Sequence, residues 1–311
     1  MRIVFMGTPA FAVPSLQALL DAGYEVAGVI TQPDRPSGRG NRVVFSPVKE
    51  LALAHGLRVL QPQRIRRDGV EDLRSLKPDL CVTAAFGQIL SQEVLDIPPM
   101  GTVNVHASLL PRHRGSAPIA WAILEGDPEV GVTTMLTDAG IDTGHMLLKR
   151  SMPRDPGMTC GEMTEVLSRQ GAELLVETLK AMEAGTVRPE PQNEAEMTYD
   201  PMLRKEMGFL DFQESGEETA RRILGLNPWP GCSVPLEGGR LKFLRARAGE
   251  GTGRPGEILR SEPGKPLLIA CLRGAVEILT LQSPGGRAMQ AGDWLRGHRL
   301  DEGSIIGEEH A

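Results

Sequence analysis

The sequence predicts an α/β protein: a doubly wound, mostly parallel sheet joined to a second, small β-barrel domain. Three observations carry that prediction. Short apolar runs alternate with helix-length amphipathic stretches as far as Gly185, the pattern of a βαβ series. One run, Asp79 to Thr83, is almost continuously apolar, as expected of a strand covered on both faces. Beyond a polar, proline-bearing stretch the pattern changes to short, closely spaced alternating strands, which reads as a small barrel. The implied division is a first domain over 1–188, a linker over 189–207 and a barrel domain over 208–311.

Ile3 to Met6 is a strand that breaks at Gly7-Thr-Pro9, and Phe11 to Leu20 is a helix closed by Gly23. The turn between them is only superficially a dinucleotide fingerprint, because Gly7-Thr-Pro-Ala-Phe-Ala lacks the second and third glycines that admit a pyrophosphate. Val26 to Thr31 is the second strand. It runs into a loop punctuated by proline and glycine that carries Arg35, Arg39 and Arg42, either a solvated surface or a phosphate-seeking lid. Ser46 and Pro47 supply an N-cap and a first-turn proline for a helix through Ala54.

Arg58 to Leu60 and Asp79 to Thr83 are further strands. After the second, Ala84 to Leu90 is apolar where a loop should be polar, which fits either the wall of a flat ligand site or a loop packed on the core. Gly101 to His106 is the next strand, Ala117 to Leu124 a helix ended by Gly126, and Gly131 to Thr137 another strand. Thr159-x-x-Glu162 is a capping box. The long helix it opens presents Met163, Val166, Leu167, Leu174, Leu175 and Leu179 to be packed across the sheet. In the second domain Ser215-x-x-Glu218 caps a short helix, Asn227-Pro-Trp-Pro-Gly231 is a rigid turn, and strands fall near 232–236, 240–248, 256–260, 266–271 and 275–281. Gly303 to Ala311 is expected to fray.

At 311 residues with 41% hydrophobic content the chain has ample material for packed cores. A net charge of −6 argues against nonspecific polyanion coating, though not against a local basic patch. Residues 206–311 hold 13 basic and 15 acidic side chains, a balance of −2, so an RNA surface there must come from clusters such as Arg221/Arg222 or Lys242/Arg245/Arg247. Cys81, Cys160, Cys232 and Cys271 form no C-x-x-C pair and are expected as reduced thiols. With no signal peptide and no membrane-length apolar run, the expected compartment is the cytoplasm, with no membrane partner.

Two runs concentrate the chemistry: Asn104-Val-His106-Ala-Ser108-Leu-Leu-Pro111-Arg-His-Arg-Gly115 and Asp138-Ala-Gly-Ile-Asp142-Thr-Gly144. Asn104 and His106 fall two apart on a strand, so alternation points both the same way, at the strand end where open α/β sheets form ligand crevices. Such a pair can also be hydrogen-bonded core polar groups. A turn and a glycine-flanked acid close by in the chain favour a site. The six histidines show no ligand spacing with acids or cysteines, so no metal is expected.

With Phe5-Met-Gly-Thr-Pro9, Thr31 to Gly40, Asn104 to Ile119, Asp138 to Gly144, Asn227 to Gly231, Gly285 to Met289 and Trp294 to Gly297, nearly the whole chain resembles the methionyl-tRNA formyltransferases. The Asn-x-His, Ser-Leu-Leu-Pro and Asp-x-Gly-x-Asp-x-Gly runs mark the wider group that uses 10-formyltetrahydrofolate, specific for the chemistry and not for the acceptor. The resemblance implies a formyltransferase-like first domain and an OB-like barrel that binds tRNA. Its reaction moves formyl from the folate to the amino group of initiator methionyl-tRNA. The alternatives are a 10-formyltetrahydrofolate hydrolase and a formyltransferase acting on a small amine, either a sugar nucleotide or a purine precursor.

Residue by residue, the resemblance makes Asn104, His106 and Asp142 catalytic. It gives the folate Ser108, Leu109, Leu110 and Pro111 and the acceptor stem Arg35, Arg39 and Arg42; the apolar loop adds Phe86, Gly87, Gln88, Ile89 and Leu90 as folate contacts, and Asp138 is expected beside them. Folate is then the co-substrate and initiator methionyl-tRNA the partner of a monomer. His113 between the two arginines, Ser116 and His145 depart from the pattern, and Pro-Arg-His-Arg-Gly also resembles the hydrolase domain of formyltetrahydrofolate dehydrogenase.

The chemistry wants these groups. Amine attack on a formyl carbon builds negative charge on oxygen, which an Asn104 amide can meet. An imidazole can carry a proton between amine and leaving nitrogen or support the oxyanion, and an acid beside it would fix its tautomer.

Overall fold

The computed structural model describes residues 1–37, 42–236 and 238–307, without the side chains of 36–43. The chain divides into two compact units, Met1–Gly115 with Val130–Met152 and Thr164–Tyr199, and Ser116–Glu129 with Pro153–Met163 and Asp200–Ala311. Among the described residues no helix is long and apolar enough to cross a membrane.

The first unit is built on a seven-stranded sheet in the order Met146–Pro153, Glu129–Leu136, Thr102–His106, Leu80–Ala84, Arg2–Gly7, Glu25–Ile30, Val59–Leu60. The last five are parallel and Glu129–Leu136 runs antiparallel to Thr102–His106. The order of winding reverses beside Arg2–Gly7, so the crevice lies at the carboxyl ends of that strand and Leu80–Ala84. Ile3, Val4, Phe5 and Met6 are fully buried, as a strand covered on both faces requires. Each such side chain contributes on the order of 1.5–3 kcal/mol.

Local signals place the helices. Ser46 Oγ accepts from the Lys49 amide and opens Pro47–Ala54. The Thr159 and Glu162 side chains satisfy each other's backbone amides ahead of Cys160–Glu183. That helix buries Met163, Leu167, Leu174, Leu175 and Leu179, and leaves Val166 half-buried. Gly171 lets it close on the sheet, because a Cβ there would stand 2.8 Å from Val105 Cγ1.

The first helix differs from its expected span. A 3-10 turn at Ala10–Ala12 precedes the α-helix Val13–Asp21, since Pro14 in its first turn blocks an earlier start. The arginine-bearing loop begins and ends as a hairpin, with Arg35 opposite Val44 and Ser37 opposite Arg42.

The second unit is a curled antiparallel sheet of six strands around its own core. Cys232–Leu236, Gly239–Gly249, Ala275–Gln282, Leu267–Ala270 and Ile258–Arg260 are hydrogen-bonded in that order, and Ala288–Gln290 adds to Ala275–Gln282. Phe243, Leu241, Ile278 and Val276 fill the interior with Ile223 of the capped helix Gly216–Gly225. Residues 308–311, at the end expected to fray, lie outside the described residues.

No disulfide joins the cysteines, and burial pushes the Cys232 thiol up to about 12 and raises those of Cys81 and Cys271. A thiol held protonated and buried is a poor nucleophile. Alkylation of the native protein near pH 8, mapped by mass spectrometry, is therefore expected at half-buried Cys160 well before the other three. Equal rates at all four would contradict the fold.

Candidate active site

The strand Thr102–His106 brings Asn104 and His106 to the carboxyl edge of the sheet, Asn104 half-buried and His106 buried. The Thr83 hydroxyl, on the neighbouring parallel strand, donates to Asn104 Oδ1 at 2.9 Å. That bond fixes which end of the amide faces which way. Nδ2, with its two hydrogens, has no protein acceptor among the described residues.

His106 is oriented at both nitrogens. Nε2 lies 2.9 Å from the carbonyl oxygen of His113, and because a carbonyl only accepts, Nε2 carries the hydrogen. Nδ1 faces Asp142 Oδ1 at 3.6 Å, close enough for charge to be felt and too long for a direct hydrogen bond. Asp142 is placed with care: its φ is +54°, and its Oδ2 accepts from the Gly115 amide at 2.9 Å. Aspartate tolerates the left-handed region better than most residues, yet it stays there only when its surroundings hold it. Gly144 completes the turn by close approach, since a Cβ there would stand 1.7 Å from the Leu136 carbonyl oxygen. The structure thus sets Asn104 and His106 on one face of an interior strand and brings Asp142 to the imidazole.

The Ser108 to Pro111 turn is held from below. Thr133, fully buried, donates to the Ser108 carbonyl at 2.7 Å and accepts from the Leu110 amide at 3.1 Å. Ser108 Oγ donates to the Arg112 carbonyl, Leu110 packs with Met135 and Met146, and Leu109 is half-buried. Ser108 and Leu110 therefore shape the turn by burying their side chains. Lys149 Nζ donates to the Leu110 carbonyl at 2.9 Å.

The Ala84 to Leu90 loop splits by residue. Phe86 and Leu90 sink into the core, while Gln88 bonds the Ile65 amide and the Pro62 carbonyl. Ile89 is left 65% exposed, and Thr8 and Gln32 donate to the Phe86 carbonyl, with Gln32 also donating to that of Gly87. Asp138 is exposed and accepts from the Gly140 amide and the Thr143 hydroxyl, so it organises the loop on which Ile141 stands 55% exposed.

Arg35 is exposed and borders a cleft of about 580 Å³ with Thr8, Gln32, Val44 and Gln63. Arg39 lies outside the described residues. Arg42 sits on the returning strand of the hairpin, and its side chain lies outside them too. In the second unit Arg221, Arg222, Arg245 and Arg247 engage Glu217, Glu214, Glu162 and Glu277, whereas Lys242 is exposed. Among the remaining histidines, His298 stacks on Trp294 at 4.2 Å, while His55 and His145 are exposed.

Sequence reasoning passed over several residues that hold this edge: Thr83, Gly115, Thr133, Arg114, Gln192 and Glu194. Arg114, 3% exposed, makes a bidentate pair with Glu194 and donates through Nε to Gln192 Oε1. The hydrogen bonds from Arg114 hold the Glu194 carboxyl below the usual carboxylate range. A local signal existed for Arg114 and Gly115, within the Arg-His-Arg-Gly run. Gln192 and Glu194 stood in a stretch whose prolines and polarity read as a connector.

The formyl transferase family profile matches residues 1–179 and its C-terminal domain profile matches 202–299. The methionyl-tRNA formyltransferase of Pelobacter propionicus is 49% identical over 98% of this chain and 96% of its own length. That of Geotalea uraniireducens is 48% identical over 99% of each. Among solved structures, HypX from Aquifex aeolicus in complex with tetrahydrofolic acid superposes with a TM-score of 0.63 at 21% identity. The match covers 98% of this chain and 51% of that one, so the chain spans about half of HypX and the likeness is one of fold.

Replacing Thr133 by valine keeps its volume and leaves the Ser108 carbonyl and Leu110 amide without their partner. The expected loss is about 1–3 kcal/mol, read as a lower denaturant midpoint at unchanged slope. An unchanged midpoint would mean that the turn is supported elsewhere.

Proposed function

The chain belongs to the methionyl-tRNA formyltransferase family, and on that premise we propose that it transfers formyl from 10-formyltetrahydrofolate to the α-amino group of methionine on initiator methionyl-tRNA, for translation initiation. What supports the reading is that Asn104 and His106 share one face of a strand, with Asp142 Oδ1 3.6 Å from His106 Nδ1. It acts as a cytoplasmic monomer.

Asn104 donates from Nδ2 to the formyl oxygen as negative charge develops there, its other end being tied to Thr83. His106 exchanges protons through Nδ1, because Nε2 is committed to the His113 carbonyl. A proton leaving the attacking amine is taken by Nδ1 and passed to the folate nitrogen whose bond to the formyl carbon breaks. Asp142 stabilises the ring while it carries that extra proton. The formyl group is activated by the folate nitrogen, so the residues need only position it, meet charge and move a proton.

The residues fit a folate. Exposed Ile89 and Ile141 offer apolar contact to a flat heterocycle, and the polar backbone of Gly87 to Leu90, with Asp138, lies beside them in the chain. Ser108 to Pro111 contact it as a preformed turn. Arg35, Arg39 and Arg42 meet acceptor-stem phosphates, and the cleft beside Arg35 gives a terminal nucleotide a place to enter. On the barrel, over 208–311, Lys242 is an exposed cation, and Arg245 and Arg247 reach RNA by exchanging carboxylate for phosphate. Residues 189–207 join it to the catalytic domain over 1–188.

Asn104→Ala is expected to lower kcat about 10²–10³-fold with charged initiator tRNA. Rapid turnover of formylfolate with water or a sugar-nucleotide amine, and none with charged tRNA, would reject the acceptor. Arg35→Ala, Arg39→Ala and Arg42→Ala are expected to raise KM for tRNA more than for folate, the difference shrinking at high salt. Equal effects on both substrates would remove these arginines from the RNA surface.

A further inference from the structure

The segment after the long helix does more than connect. Glu190 and Met146 exchange two backbone hydrogen bonds of 2.8 Å, which anchors the start of the 190–198 segment at the head of the strand that follows the Asp142 turn. Gln192 then spends its whole carboxamide on the site. Nε2 donates to the Asp142 carbonyl at 2.7 Å and to the Gly144 carbonyl at 2.8 Å, while Oε1 accepts from Arg114 Nε at 2.9 Å. Thr198 Oγ1 accepts from the amide of His113, the residue whose carbonyl takes His106 Nε2. The Gly115 amide, next to Arg114, closes the circuit on Asp142 Oδ2.

We propose that Gln192 is a positioning residue for formyl transfer: it clamps the turn that carries Asp142 and ties it to the Arg114 guanidinium, next in the chain to His113, whose carbonyl takes His106 Nε2. The proposal rests on the role given to Asp142 above. A clamp is needed because Asp142 sits at φ +54° and 3.6 Å from the imidazole, a geometry that neither the turn nor a direct hydrogen bond to the ring secures. Two donors on one atom and an acceptor on the other are what the three partners demand. Glutamate has the same shape and lacks both donors, so it would set an oxygen against two carbonyl oxygens.

The test uses the full-length enzyme with charged initiator tRNA and formylfolate, comparing Gln192→Ala, Gln192→Glu, Asp142→Asn and the double variant Gln192→Ala/Asp142→Asn. Both Gln192 variants are expected to lose about tenfold or more in kcat, with KM for either substrate within about twofold. Adding Gln192→Ala to Asp142→Asn is expected to cost little more, because the clamp acts through the acid. Should Gln192→Ala fail to fold by circular dichroism, the isosteric Gln192→Glu decides alone through its split between kcat and KM. Wild-type kcat in the Gln192 variants alongside an impaired Asp142→Asn overturns the clamp, as do losses that multiply in the double variant. A fully active Asp142→Asn overturns the role of Asp142 instead.

Discussion

The hydrogen bond from the Gly115 amide to Asp142 Oδ2 is the tie on which the strand-end arrangement depends. It joins the loop after one strand to the loop after its antiparallel neighbour, and so brings a carboxylate to an imidazole 36 residues earlier in the chain. A charged acceptor held by a backbone donor is worth more than a neutral pair, on the order of 1.5–3 kcal/mol. That is comparable to the cost of a non-glycine residue at positive φ, which is about 1–3 kcal/mol. The bond can therefore offset the strain of Asp142 without a large surplus, which is why further ties around it matter.

Those ties follow one rule: polar groups removed from water are partnered. Thr83 anchors the Asn104 amide, Thr133 serves two backbone groups of the turn, and the His113 carbonyl takes the imidazole Nε2. Arg114 is almost wholly buried, so its guanidinium must find its partners within the protein. Its pairing with Glu194 thus fixes the course of residues 192–198 as firmly as it satisfies a charge. Rigidity of this kind suits a reaction in which an amide and an imidazole must meet charge as it develops, because a site already in place spends nothing on reorganisation.

Much of this was legible in the sequence, for local reasons. The capping residues Ser46, Thr159 and Ser215 marked helix starts through contacts three residues long, and period-two alternation set Asn104 and His106 on one face. The family likeness rested on short contiguous runs that survive as turns. What escaped was long-range. Gln192 and Arg114 lie 78 residues apart and Thr198 and His113 lie 85 apart, so nothing in the neighbourhood of either partner announces the pairing. Pro189 and Pro191 gave the segment a connector's composition while its backbone pairs with Met146. Ser108 and Leu110 were legible as important and not as buried, because a turn's inner and outer faces obey no period.

In the proposed reaction one amide, one imidazole and one carboxylate surround the transferred carbon. A crystal structure of the enzyme with a hydrolysis-resistant 10-formylfolate analogue tests it most directly. The formyl oxygen is expected about 3 Å from Asn104 Nδ2, with His106 Nδ1 and Asp142 on the reacting side. A formyl group bound away from Asn104, with His106 still sealed beneath its carbonyl partner and no approach to Nδ1, would contradict it.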